Sequence, residues 1–272
     1  MTYRANFPPS FILLEQEGFL ISSCLGRGLT DLRSAHVHNK GAFYSSLFNL
    51  SIGMERLLKA LVIIEHIATN NLSVPTKNKL KSYGHNIQEL YDQCVKIANA
   101  RSVAVPDRHS LNPIQKEIIS LLSDFAQTTR YFNLDGLNPS HVGRDPLDHW
   151  GQIVTAILEK DVPKAQKEKI LNQSNLIASA IDDITITIMH GLDKTPLSTE
   201  EALALPGLHD QAAKYAVLHV VKILAPLREL TSELSHLAYT LNTPEPVFPQ
   251  MQEFIQWLWD DRQYILRKKR WP

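Results

Sequence analysis

The chain has 272 residues, 44% of them hydrophobic and 21% charged, and its 28 basic side chains are matched by 28 acidic ones. Such a length carries one large domain or two small ones, in a composition ordinary for a globular protein. Zero net charge argues against a dedicated nucleic-acid coat but leaves room for a local basic groove, and no apolar run nears the ~18 residues a membrane span needs.

Helix signals dominate from the start. Ser10 is a candidate cap for a first helix to about Arg33, with Leu14, Ile21, Leu25, Leu29 and Leu32 inward; Gly26 and Gly28 predict a break near its middle. The stretch from Asn39 to Asn70 organises the rest. Phe43, Leu47, Leu50, Met54, Leu57, Leu58, Leu61 and Ile64 recur at three and four, the spacing of one broad helix face. Glu55 precedes Lys59 by one turn, the favourable order for an intrahelical pair. Pro75 and Thr76 open a short helix through Lys81. The turn Tyr83-Gly84-His85-Asn86-Ile87 leads into a helix from Gln88 to Ala100, and Ser102 to Leu111 reads as a loop.

Asn112-Pro113 is a cap with proline at the first helical position, opening a helix to about Leu134 with Ile114, Ile118, Leu121, Leu122 and Phe125 on one face. Asp135 to Arg144 is irregular. Asp145-Pro146 repeats the start signal for a helix through Glu159, and Pro163 starts a long one to about His190. Within it, Ile184-Thr185-Ile186-Thr187-Ile188 alternates like a strand, while Ile177, Ile181, Ile184 and Ile188 keep helical spacing. With no partner strand visible, the helix is the expected outcome. Ser198 and Glu201 form a capping box for a short helix. A further run spans Leu208 to Leu241, which Pro226 should kink or split. Thr243 to Pro249 reads as a linker before an amphipathic helix from Gln250 to Arg267 and the run Arg267-Lys268-Lys269-Arg270. The expectation is an all-α helical bundle of about eight to ten helices: one domain over residues 1–242, with residues 243–272 packed on it or exchanged between copies.

Asn49-Leu50, Glu55 and Leu58-Lys59-Ala60 on one long helix, followed by Gly84-His85 and Leu90-Tyr91, resemble the pattern of HEPN-type helical domains over about residues 40–135. The resemblance implies an up-down helical core that often dimerises, here with additional C-terminal helices. Many members are ribonucleases of toxin or antiviral systems, and others are non-catalytic nucleotide or RNA binders. It therefore implies an RNA- or nucleotide-directed protein and, if an enzyme, a metal-independent ribonuclease needing no cofactor. The other reading of the same residues is a non-enzymatic helical interaction module.

The family's catalytic signature is an Arg followed four to six residues later by His. Arg33 with His38 and Arg144 with His149 fit the spacing, and the second pair lies on the side of the chain where the family carries its motif. An arginine there would stabilise phosphate charge while a histidine moves a proton. The surrounding stretch Arg130 to Trp150 supplies the remaining candidates. Arg130 and Arg144 would bind the anion or nucleotide phosphate, Tyr131 would stack, and His141 or His149 would carry the proton. The same residues also read as a helix connection, with Asp145 as cap and Arg130 paired to Asp135. His36-x-His38 is half a metal site or a solvated helix end, without the motifs that would complete a zinc site, so no metal is expected. His85 is a candidate cap, and the terminal basic run is a solvated end or an RNA or partner contact. Cys24 and Cys94, with no secretory layout at MTYRANFPPS, predict reduced thiols in a cytoplasmic protein. A tail bearing Trp257, Trp259 and Trp271 predicts a homodimer, since such residues are enriched at interfaces.

Overall fold

The structure is a computed structural model that describes residues 7–138, 140, 143–241, 243 and 245–272, with Tyr239 described for its backbone. Among the described residues 73% are helical, there is no strand, and ten α-helices form the bundle. His141 lies outside the described residues.

The first two helices, α1 (Pro9–Ser34) and α2 (Lys40–Thr69), form its most extensive pairing. All eight apolar positions expected on the inner face of α2 are buried, as are the five expected on α1. The helix does not break at Gly26 and Gly28, because those glycines are contact points. A Cβ on Gly28 would fall 2.7 Å from Leu50 Cγ, and one on Gly53 of α2 would fall 2.9 Å from Leu25 Cγ. Each helix seats a leucine in the other's glycine notch, and this close packing offsets the poor helix propensity of glycine.

Next come α3 (Lys77–Ser82), capped by Thr76, and α4 (Ile87–Ala100), capped by Asn86. The helix opened by the Asn112–Gln115 capping box, α5 (Pro113–Gln127), stops seven residues short of the expected Leu134. The β-branched pair Thr128-Thr129 ends it, and a 3-10 turn (Thr129–Tyr131) and the single-turn α6 (Phe132–Asp135) follow. Asp145 accepts from Leu147 N and starts α7 (Pro146–Lys160).

The next helix, α8 (Lys164–Ile181), corrects the expectation of a helix to His190. After a 3-10 turn (Asp182–Ile184), Thr185 is extended and residues 185–189 are irregular. Thr199 Oγ1 donates to Asp182 (2.9 Å) and Thr187 Oγ1 donates to Thr199 Oγ1 (3.2 Å), turning the chain back. That leaves Ile184, Ile186 and Ile188 exposed.

The Ser198–Glu201 capping box opens not a short helix but the 42-residue α9 (Thr199–Thr240), which contains both Pro206 and Pro226. It packs against α1, α2, α5, α7 and α8. Val217, Val221, Leu224, Leu227, Leu230 and Leu234 are buried along it, and this burial outweighs the backbone bonds the prolines remove. The expected helix from Gln250 to Arg267 is instead a 3-10 turn (Met251–Phe254) and a short α10 (Arg262–Arg267), also packed on α9. Between them, Trp257 Nε1 donates to Ser22 Oγ (3.1 Å) and Arg228 Nη1 to the Leu258 carbonyl (3.0 Å). These ties hold the segment against α1 and α9 at the expense of helix. Phe248, Met251, Ile255, Leu258, Ile265 and Trp271 all bury in the main core. Among the described residues no helix is long and apolar enough to cross a membrane.

Candidate functional site

The candidates between Arg130 and Trp150 separate into two places. His149 stands in the first turn of α7, only 1% exposed, with Nε2 at 2.9 Å from Glu117 Oε2 of α5. Burial pushes its imidazole below the usual histidine range, with Arg144 adding to the shift and Glu117 opposing it. Arg144 donates to Gln152 Oε1 (2.5 Å) and lies 3.9 Å from Glu117 Oε2. The Arg144–His149 pair therefore meets through Glu117, beside a notch of about 140 Å3. Asp145 caps α7 and pairs with Lys194 Nζ at 2.7 Å. Tyr131 is exposed.

Arg130 lines another groove. It is not paired to Asp135; its Nη2 donates to the Ala126 carbonyl (2.6 Å), and it has no carboxylate partner among the described residues. The groove, about 410 Å3, is also lined by Glu17 of α1, Glu55, Arg56 and Lys59 of α2, and His85. Three cations thus face two carboxylates.

At its centre, Glu55 Oε1 accepts from Lys59 Nζ (2.7 Å) and lies 3.0 Å from His85 Nδ1. That contact is a hydrogen bond in the tautomer that protonates Nδ1, which leaves the Nε2 lone pair of the 65% exposed His85 toward solvent. Gly84, at φ +58, puts His85 there; nothing crowds its missing Cβ, so the backbone conformation alone demands glycine. Arg56 Nη1 reaches both oxygens of Glu17, at 2.8 and 2.6 Å, and this carboxylate raises its guanidinium above the usual range.

Glu17 and Arg56 carry no signal in the sequence: they are 39 residues apart and obey no local spacing. The other histidine motif, His36-x-His38, folds on itself, His38 N donating to His36 Nδ1 (3.3 Å). Among the described residues no group of three histidine, cysteine or acidic side chains is placed to hold a metal. No protein-family model, curated protein or solved structure matches the chain.

Proposed function

We propose that the chain is a HEPN-like protein directed at a phosphate-bearing ligand, RNA or nucleotide, received by the groove between α1, α2 and the turn before α4. The observation that carries this reading is the meeting of Glu55, Lys59 and His85 on one carboxylate oxygen, with Arg130 lining the same groove. Those first three residues belong to the pattern that resembles HEPN domains. Arg130, with no acid of its own among the described residues, donates hydrogen bonds to the phosphate; Lys59 and Arg56 add charge already balanced by Glu55 and Glu17.

His85, held through Nδ1 by Glu55, is the proton carrier. With RNA bound, its Nε2 takes the proton of a ribose 2′-hydroxyl, and that oxygen attacks the adjacent phosphorus. The bond to the 5′-oxygen breaks, the 5′-oxygen takes a proton from water, the hydroxide left behind takes the proton held on His85, and a 2′,3′-cyclic phosphate remains. In this reading His149 and Arg144 tie α7 to α5, because a histidine 1% exposed cannot meet a substrate.

The test is binding of a short single-stranded RNA and of ATP across a salt series, in wild type, Arg130→Gln and His85→Ala. Wild type should weaken steeply with salt, Arg130→Gln should flatten the slope, and His85→Ala should bind RNA without cleaving it. Wild type that binds neither ligand at low salt overturns the proposal. The second reading, a non-enzymatic interaction module or homodimer, is favoured by the exposed apolar side chains Leu176, Ile177, Ile184, Ile186 and Ile188. Light scattering at high concentration tests it, a 30.8 kDa monomer counting against self-association.

A further inference from the structure

The C-terminal segment returns along α1. Trp271 N–H donates to Thr30 Oγ1 (2.9 Å), and Pro272 lies so close to Gly26 that a Cβ there would run into the Pro272 backbone oxygen. This docking brings Lys269 and Arg270 to a groove of about 650 Å3 shared with Arg27, Asp31, Arg33 and Asp210. Four cations meet two carboxylates, and both carboxylates are already engaged. Asp31 accepts from Arg27 Nε (3.0 Å) and Ser45 Oγ (2.5 Å); Asp210 accepts from Arg33 Nη1 (2.8 Å) and lies 3.7 Å from Lys214 Nζ. Lys269 and Arg270 have no acid partner among the described residues.

Arg33 is the decisive member. It is 6% exposed, yet its Nε–H has no hydrogen-bond partner. A guanidinium N–H taken out of water and left unmatched is costly, and a small shift of the Arg33 side chain that brings it to an oxygen acceptor in the groove offsets that cost. A phosphate presents several such oxygens and the charge that Lys269 and Arg270 lack.

We propose that this groove is a second oxyanion site, with Arg33 as the buried donor and Arg27, Lys269 and Arg270 as the charged rim, taking a phosphate group. Free inorganic phosphate, a nucleotide and the backbone of single-stranded RNA share that chemistry. The site is separate from the groove of Glu55 and His85: Glu17 and Thr30, one from each, stand about 20 Å apart along α1 at a rise of ~1.5 Å per residue. It therefore stands or falls independently of that reading.

The test follows the arginine Nε–H resonances of the full chain by nitrogen-15 spectroscopy, with Arg33 assigned through Arg33→Lys, while inorganic phosphate, ATP and a short RNA are titrated separately. The Arg33 Nε–H signal should shift with phosphate. Lys269→Gln/Arg270→Gln, both exposed positions, should weaken binding about tenfold with the melting temperature unchanged. Arg130→Gln should leave the Arg33 response intact. A response to phosphate alone marks a free-oxyanion site, and one to RNA alone marks a backbone contact; both support the proposal. An Arg33 signal unmoved by all three ligands at low salt, or a double variant that binds like wild type, overturns it.

Discussion

Glu55 and His85 are 30 residues apart in the chain and meet at 3.0 Å, joining α2 to the turn that precedes α4. The carboxylate also takes Lys59, so one side chain orients the imidazole and neutralises the ammonium. Its removal should have opposite effects on binding and on chemistry. Glu55→Gln deletes a negative charge from the groove, and a unit charge ~4 Å away in water is worth about 1 kcal/mol, or roughly fivefold in affinity. Phosphate-bearing ligands should bind tighter by about that factor, while the proposed RNA cleavage slows because His85 loses its orienting partner. Calorimetric titration beside a cleavage assay measures both, and unchanged or weaker binding would remove Glu55 from the groove's electrostatics.

Gly84→Ala tests what aims His85. A non-glycine residue in the left-handed region costs about 1–2 kcal/mol, and Gly84 sits there at φ +58 with free space around it. Urea unfolding should show that loss and no more, while groove binding falls as the turn relaxes. A variant as stable as wild type would mean the turn has an alternative backbone.

The core prediction is larger. Leu57 is 1% exposed on the inner face of α2. Leu57→Ala should destabilise the chain by about 2–5 kcal/mol, the range for a buried leucine. Denaturant midpoints read it directly.

His209 predicts acid sensitivity. Buried against Phe43, it has its imidazole pushed down to about 4 by burial, with His36 and His38 adding to the shift. The unfolded residue titrates near ~6.5, so between these values the unfolded chain binds more protons than the folded one. Stability from this group is therefore complete above that pH and lost as pH falls toward 4, of the order of 3 kcal/mol in all. Urea midpoints at neutral and acid pH should differ by less in His209→Leu than in wild type. Parallel acid losses in the two proteins would assign the sensitivity elsewhere.

The inner faces of α1, α2 and α5 were legible because period and burial agree there, and the starts at Thr76, Asn112, Asp145 and Ser198 because capping is local chemistry. Tertiary contacts decided the rest. Gly28 reads as a breaker until Leu50 is seen against it, and Pro226 reads as a split until the leucines of α9 are seen buried. The site divides the same way. Glu55, Lys59, His85 and Arg130 could each be marked in the sequence, but not their meeting, which depends on how α2, the Gly84 turn and the end of α5 pack. Arg130 stands with His85 rather than with Arg144 for that reason.

The non-helical segment after α8 has a consequence for the protein on the bench. Ile184, Ile186 and Ile188 are 84%, 88% and 84% exposed, with threonines between them. A short β-prone stretch with bare side chains is the raw material of cross-β fibrils. Asp182 and Asp183, just upstream, carry like charge that opposes the stacking of two such stretches. Salt screens that repulsion, so concentrated stocks should turn turbid sooner as ionic strength rises, and Ile186→Lys should keep them clear.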